Sequence, residues 1–438
     1  MKNANELKIK HLGIKWFGDI PKCFTIRKIK FLGRLIAGGT PKTENLEYWG
    51  GDIPWIPSGM VQNCLIANNE DGKYITRKGL EESATKEIPE NSPLIALTGA
   101  TCANVGLLKF KATANQSVIA LAVDKHNDYK YLYYSFLANR EQFLIYKAGG
   151  AQGGITLDNV KNIYLAIPDI SIQKRIADYL DIKTEQIKTF IENKKKLIEL
   201  LEEQRKSIIY NAITKGLDKD VKTKPSGVEW LGNIPENWKV KKMKFLGDAI
   251  IGLTYNPEDV VGEGAGTLVL RSSNLKNNVI TKDDNVYVKK EIPENLLTRE
   301  GDILICSRNG SIDLVGKNAI ITKDDENLTF GAFTTIFRTA DYKYIHKYFN
   351  SHLFKSQAGL FSSSTINQLT TGILNELLVP MPPEAEREKI IEYIDKSTEK
   401  INQAIQTIKQ EIKLIEEYKK SLIYSAVTGK IKALLTDE

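Results

Sequence analysis

The stretch Gly13–Gly33, GIKWFGDIPKCFTIRKIKFLG, returns at Gly227–Gly247 as GVEWLGNIPENWKVKKMKFLG, an offset of 214 positions (227 − 13). A second block keeps that offset. RIADYLDIKTEQIKTFIENKKKLIELLEEQRKSIIYNAIT, starting at Arg175, reappears as KIIEYIDKSTEKINQAIQTIKQEIKLIEEYKKSLIYSAVT, starting at Lys389. The residues between the matching blocks agree poorly. A unit of this length is far longer than a solenoid repeat. The chain therefore reads as two copies of a domain-sized unit, one frame around unlike contents.

With 438 residues, 42% hydrophobic and 26% charged, the chain has room for about two to four domains of roughly 100–200 residues with real cores. A net charge of +7 and a pI of 8.8 permit an anionic partner such as nucleic acid without demanding one. The opening MKNANELKIKHLGIKW lacks the apolar core of a secretory signal, and apolar runs such as Val118–Val123 fall far short of the roughly 20 residues that span a bilayer. The expected location is cytoplasmic, with no membrane partner. Cys23, Cys64, Cys102 and Cys306 form no CxxC and read as reduced structural thiols. The histidines are isolated, and His346 and His352 are spaced off a common helix face, so no metal site is expected.

The expected fold is α+β. Short β-rich runs (Pro93–Leu97, Val118–Val123, Thr267–Leu270, Asp302–Ile305, Asn318–Thr322) alternate with Gly, Asn, Asp and Ser turn clusters. Short helices are expected at Tyr129–Tyr146 and Tyr342–Ala358. Each globular part closes on a proline-marked strand, Ile163–Asp169 and Leu377–Pro383, and a long helix follows. The expected divisions are 1–167, 168–216, 217–379 and 380–438: globular part, helix, globular part, helix with a terminal segment. The first apolar seam is Ile176, Leu180, Ile187, Phe190, Leu197, Leu201 and Ile208. Its counterpart is Ile390, Ile394, Ile401, Ala404, Ile408, Ile415, Tyr418 and Leu422. A seam sustained over four to five heptads, with charge beside it, is a coiled-coil signal. A pseudo-twofold would set the two helices antiparallel with one globular part near each end, and the chain termini together. Each helix of roughly 38 residues would run about 57 Å.

No catalytic motif in the sequence is complete. GEGAG (Gly262–Gly266) lacks the helix and acidic residue of a dinucleotide site, and GGAQGG (Gly149–Gly154) lacks the Lys-Ser/Thr of a phosphate loop. No amino-methyltransferase or helicase motif is present. Asp169, Asp181 and Lys183 satisfy a loose magnesium-nuclease pattern, but Lys183 falls on a helix and not on a strand beside the carboxylates.

The divergent parts instead place polar, aromatic and basic residues on turns. In the first, Lys42 and Ser58 stand in TPKTENLEYWGGDIPWIPSG, where Tyr48, Trp49 and Trp55 serve at least partly as packing anchors. Thr98, Thr101 and Asn104 lie in TGATCANVG, whose small residues let a surface approach the backbone. In the second, Arg271, Ser272, Ser273 and Asn274 form RSSN, and Ser307, Arg308, Asn309, Ser311 and Lys317 lie in SRNGSIDLVGK. Arg pairs bidentately with guanine and Asn with adenine. Two late loops at matching places add Gln152, and Asn367 with Gln368.

TPKTENLEYWGGDIPWI, GDILICSRNGSIDLVGK, the proline-led long helices and the endings SIIYNAITKGL and SLIYSAVTGKI resemble the specificity subunit of type I restriction–modification systems, and the resemblance covers essentially the whole chain. It implies two target recognition domains and two spacer helices reading an asymmetric, bipartite double-stranded DNA site. It implies assembly with two methyltransferase and two restriction subunits. S-adenosylmethionine, ATP and magnesium would act on those partners, leaving this chain with no cofactor and no catalytic residue. TGAT stands where the second half has SRNG, so Thr98 and Ala100 cannot reproduce contacts of Arg308 and Asn309, and unlike half-sites are expected. The rival readings are a coiled-coil scaffold that binds proteins only, and a magnesium-dependent nuclease.

Overall fold

Two helices, Ile170–Lys215 (46 residues) and Glu384–Val427 (44 residues), dominate the computed structural model, which describes residues 9–11, 19–147, 153–360 and 368–436. Both exceed the expected length because helix starts directly after the proline-marked strand and runs on until a left-handed glycine stops it. Those glycines are Gly216 (φ +75°) and Gly429 (φ +72°). The chain packs as two units, Met1–Lys194 with Gln410–Glu438, and Lys195–Lys409, so each unit holds half of each long helix.

In the first unit a five-stranded sheet runs in the order Gly33–Ala37, Val118–Val123, Ser92–Ala96, Val105–Leu108, Cys64–Ile66. A three-stranded sheet is built from Thr113–Ala114, Trp49–Ile56 and Lys73–Ile75. Tyr164–Ile167 pairs antiparallel with Thr25–Lys28. In the second unit one four-stranded sheet has Asp248–Ile251, Thr334–Arg338, Ile303–Cys306 and Asn318–Ile320, and another has Val260–Val261, Val286–Val288, Thr267–Leu270 and Thr329–Phe330. Leu378–Met381 pairs with Lys239–Lys242, as in the first unit. The central strands are buried on both faces, which is why Ser92–Ala96 and Ile303–Cys306 read as unbroken small or apolar runs.

The helix expected over Tyr129–Tyr146 is two helices, Tyr129–Ala138 and Arg140–Ile145, and its partner is likewise split into Tyr342–Phe349 and His352–Leu360. An asparagine makes each break. Asn139 Nδ2 donates to the Ser135 carbonyl (2.7 Å) and Asn350 Nδ2 to the His346 carbonyl (2.8 Å), which caps the last turn from its own side chain.

Within the first unit the long-helix segments run in opposite directions. Tyr131 Oη donates to Ala166 O (2.6 Å), just before one helix begins, and to Val427 O (3.0 Å), where the other ends. Further along, Lys194 pairs with Glu411 at 2.7 Å. The second unit repeats this. Tyr344 Oη lies 2.8 Å from Pro380 O and 3.5 Å from Ile213 O, and Arg205 donates to Asn402 at 2.9 Å.

Burial along the helices departs from the expected seam at four places. Ile176, Leu180, Ile187, Ile390, Ile394, Ile401, Ile408 and Leu422 are buried, and Leu201, Ile208 and Ile415 half-buried. Phe190, Leu197 and Tyr418 are exposed, and Ala404 is only half-buried. The inward position is the next residue each time: Ile191, Ile198, Ile405 and Lys419. Steps of three and four alternate, and apolar residues fill two adjacent columns (Phe190 and Ile191, Leu197 and Ile198), so apolarity alone does not say which column faces in.

Candidate nucleic-acid interface

In each unit one hairpin tip stands beside one tight turn. A parallel pairing sets the turn: Trp55 opposite Thr113, Ile56 opposite Ala114 in the first unit, and Val269 opposite Thr329, Leu270 opposite Phe330 in the second. A single helical turn follows, Ser58–Met60 or Ser272–Asn274. The tip is set by Leu97 N donating to Ser117 O (2.8 Å) in one unit and Ser307 N to Phe333 O (3.0 Å) in the other. Thr98 then bridges Gly154, and Arg308 bridges Gln368. Arg308 thus occupies the place of Thr98, and Asn309 that of Gly99 (φ +68°). The pairing of Asn309 with Ala100 read from the sequence is one residue out, because flanking strand register and not loop length fixes the match.

In the first unit Trp55 is buried and its Nε1 donates to Gly39 O (2.9 Å). Trp49 meets it edge-on at 5.2 Å, carries Lys73 over its ring, and donates to Lys42 O (3.2 Å). Tyr48 donates to Glu82 (2.9 Å). The three aromatics therefore pin the loop. Asn104 is buried and spent on Asn63, Gln62 and Arg140. Lys42 and Thr98 are exposed, and Ser58 and Thr101 half-buried, with Thr101 donating to Thr98 O (3.4 Å). Gln152 lies outside the described residues.

In the second unit Asn274 is 0% exposed. Its Oδ1 accepts from Arg271 N (2.9 Å) and its Nδ2 donates to Thr281 O (2.9 Å), so it holds the turn and cannot reach a ligand. Ser307 is buried, donating to Phe333 O (3.1 Å) and accepting from Thr335 (3.0 Å). Arg271 is tied to Asp284 at 2.8 Å. Asn309 accepts from Ser311 N (3.1 Å) and donates to Ser272 Oγ (3.4 Å), stitching tip to turn. Ser273 and Gln368 are half-buried, and Arg308, Ser311 and Lys317 exposed. Asn367 lies outside the described residues. Beneath the tip, burial pushes the Cys306 thiol up, keeping it neutral.

Sequence reasoning missed Phe333. It sits in TFGAFTTIF (Thr329–Phe337), which reads as a buried strand, yet it is 59% exposed at the turn entering Thr334–Arg338. The nuclease pattern is not assembled. Asp181 is held by Lys130 (2.6 Å) and Tyr134 (2.7 Å), and Lys183 lies over Tyr179. Among the described residues no three His, Cys, Asp or Glu side chains form a metal-binding group, and no helix is long and apolar enough to cross a membrane.

A family model described as "Type I restriction modification DNA specificity domain" matches residues 21–202 and again 235–414. The chain is 30% identical over 255 residues to the type I restriction enzyme MjaIX specificity subunit of Methanocaldococcus jannaschii, covering 53% of each. It is 31% identical over 156 residues to the EcoR124I/EcoR124II specificity subunit of Escherichia coli, covering 34% of this chain and 38% of that one. These alignments span about half or less of those relatives' length. The MjaVIII specificity subunit of M. jannaschii aligns over 426 residues at 25% identity, covering 94% of both. Among solved structures, a chain from work on complex assembly and conformational transition of the type I R-M system matches with a TM-score of 0.73 at 14% identity, covering 94% of this chain and 99% of that one. The HsdS subunit from Thermoanaerobacter tengcongensis gives 0.51 at 14% identity, covering 94% and 98%. At that identity the likeness is one of fold.

Proposed function

The chain belongs to the type I restriction–modification DNA specificity family and carries its domain twice, and from that premise we propose that it is the non-catalytic, sequence-reading subunit of a DNA adenine methyltransferase and restriction complex. Each globular part (1–167 and 217–379) is a target recognition domain reading one half of a bipartite site. The observation that carries this is the pair of tips on one register with different chemistry, Thr98 and Gly99 against Arg308 and Asn309. One scaffold offers the same place to DNA twice, with unlike side chains. The segments 168–216 and 380–438 act as spacers, their helices pairing as an antiparallel coiled coil around a pseudo-twofold. Two methyltransferase subunits and two restriction subunits dock on this frame and bring S-adenosylmethionine, ATP and magnesium. Exposed apolar side chains on the helices, Leu414 and Tyr418 among them, suit such docking.

The test uses the complete complex. One helical turn is inserted after Glu192 and another at the matching place after Gln406. Each adds about 5.4 Å, roughly one and a half base-pair rises. Mapping methylated adenines should show both half-sites unchanged and the unspecified spacer longer by one or two base pairs. An unaltered spacer in an active complex overturns the ruler. If the chain only scaffolds proteins, its complex binds DNA without sequence preference, and exchanging this subunit leaves the methylated motif as it was.

A further inference from the structure

Arg308 and Phe333 come from different loops but are built as one object. Phe333 O accepts the backbone N–H of both Ser307 (3.0 Å) and Arg308 (3.1 Å), so the two turns are clamped main chain to main chain. The Arg308 guanidinium carbon lies 5.3 Å from the centre of the Phe333 ring. Both side chains are exposed. Among the described residues no carboxylate pairs with Arg308, whereas Arg271 close by is occupied by Asp284.

An aromatic face restrains a guanidinium without consuming its donors. The cation–π contact uses the flat face, while the N–H groups radiate in the plane. Arg308 is therefore restrained beside the ring before any ligand arrives, and no side-chain partner among the described residues takes its fork. That fork matches guanine O6 and N7 in the major groove. The ring has a separate meaning. A phenylalanine held in water at the tip of a charged, polar turn contributes little to the core beneath it. It is positioned to gain by covering an apolar group on the ligand, and the apolar group that the major groove displays is the thymine 5-methyl.

We propose that Arg308 and Phe333 form a single composite reader in the second half-site, whose ligand is a guanine with a neighbouring thymine: Arg308 takes the guanine edge and Phe333 covers the thymine methyl. This rests on the DNA-reading role proposed above. In the first unit Thr98 and Ser117 occupy the two corresponding places.

The experiment first maps the motif methylated by the whole complex, then measures binding to synthetic duplexes of that motif. Thymine is replaced by uracil beside the guanine, which removes only the methyl. The motif should contain the thymine–guanine pair in one half-site. Uracil should weaken wild-type binding several-fold and leave Phe333→Ala unaffected. Arg308→Ala should lower the preference for guanine by roughly 5- to 150-fold, the span of one bidentate contact. Selectivity for the other half-site stays intact in both variants, and hydrogen exchange in the second unit that matches wild type shows that this unit folds. A second half-site without this pair, equal uracil sensitivity in wild type and Phe333→Ala, or uniform loss on all sequences overturns the composite reader. Failure of the DNA-reading role looks different: the methylated motif then does not follow this subunit when subunits are exchanged.

Discussion

Tyr131 and Tyr344 make the same junction in the two units, whereas Thr98 and Arg308 occupy the same place in two loops and share no chemistry. Each tyrosine is fully buried, and burial pushes its hydroxyl pKa far up, so it stays a neutral donor. Each ties the closing strand of its own globular part to the end of the helix that belongs to the other repeat. A duplicated chain must preserve such joints, because they fix how a helix meets a domain. It is free at the tips, where a change in side chain alters what is touched and not how the unit is held. The repeat seen in the sequence is thus a repeat of joints.

Three measurements bear on that contrast, each read by hydrogen exchange separately in the two units. The largest effect belongs to Trp238, the counterpart of Phe24 in the repeat, fully buried with Nε1 donating to Glu386 (3.0 Å). Trp238→Ala should cost roughly 3–5 kcal/mol, lost in the second unit while the first keeps its protection. Equal loss in both would mean that the units share one cooperative transition.

The next effect depends on pH. His346 stands where the first unit has Tyr133, each two residues after the tyrosine that makes the joint. Both ring nitrogens of His346 are shut from solvent without a partner among the described residues, and burial, with Lys347 beside it, pulls its pKa down to about 4 from 6.5. The unfolded chain therefore binds this proton first, and stability present above about pH 6.5 declines as pH falls toward 4. That amounts to about 3 kcal/mol at most. The second unit should open on acidification ahead of the first, and His346→Ser should abolish the difference. A second unit whose acid sensitivity survives that substitution owes it to other groups.

The smallest effect tests the joints. Tyr131→Phe and Tyr344→Phe each remove one donor from buried carbonyls, and each should cost about 1 kcal/mol. Near-equal costs are expected. A large inequality would show that one joint has been replaced by other contacts.

The frame was legible in the sequence because it is long and periodic. Val118–Val123 and Thr267–Leu270 carry the strand bounds read for them, and the closing strands and both long helices lie where the prolines point. The columns facing inward at Phe190, Leu197, Ala404 and Tyr418 were not legible, since an apolar neighbour or a half-buried lysine competes at each step. The breaks at Asn139 and Asn350 were hidden because apolarity continues through them. At the tips, residue type misled in both directions. Asn104 and Asn274 look like surface readers, yet each spends its amide inside a turn. Phe333 looks like core and stands in water. A polar side chain beside a turn has backbone partners within reach, and the fold around it decides which partner it takes.

The second unit is one continuous run, Lys195–Lys409, but the first closes only when Gln410–Glu438 joins Met1–Lys194. Leu422, Ile423, Ala426 and Val427 belong to the same apolar cluster as Phe24, Leu132 and Ile176. During synthesis, when domains ordinarily mature from the N-terminus onward, this protein must reverse the order. The half made first waits, incomplete, while the half made second can already fold, and Gln410–Glu438, made after the second unit, completes the first.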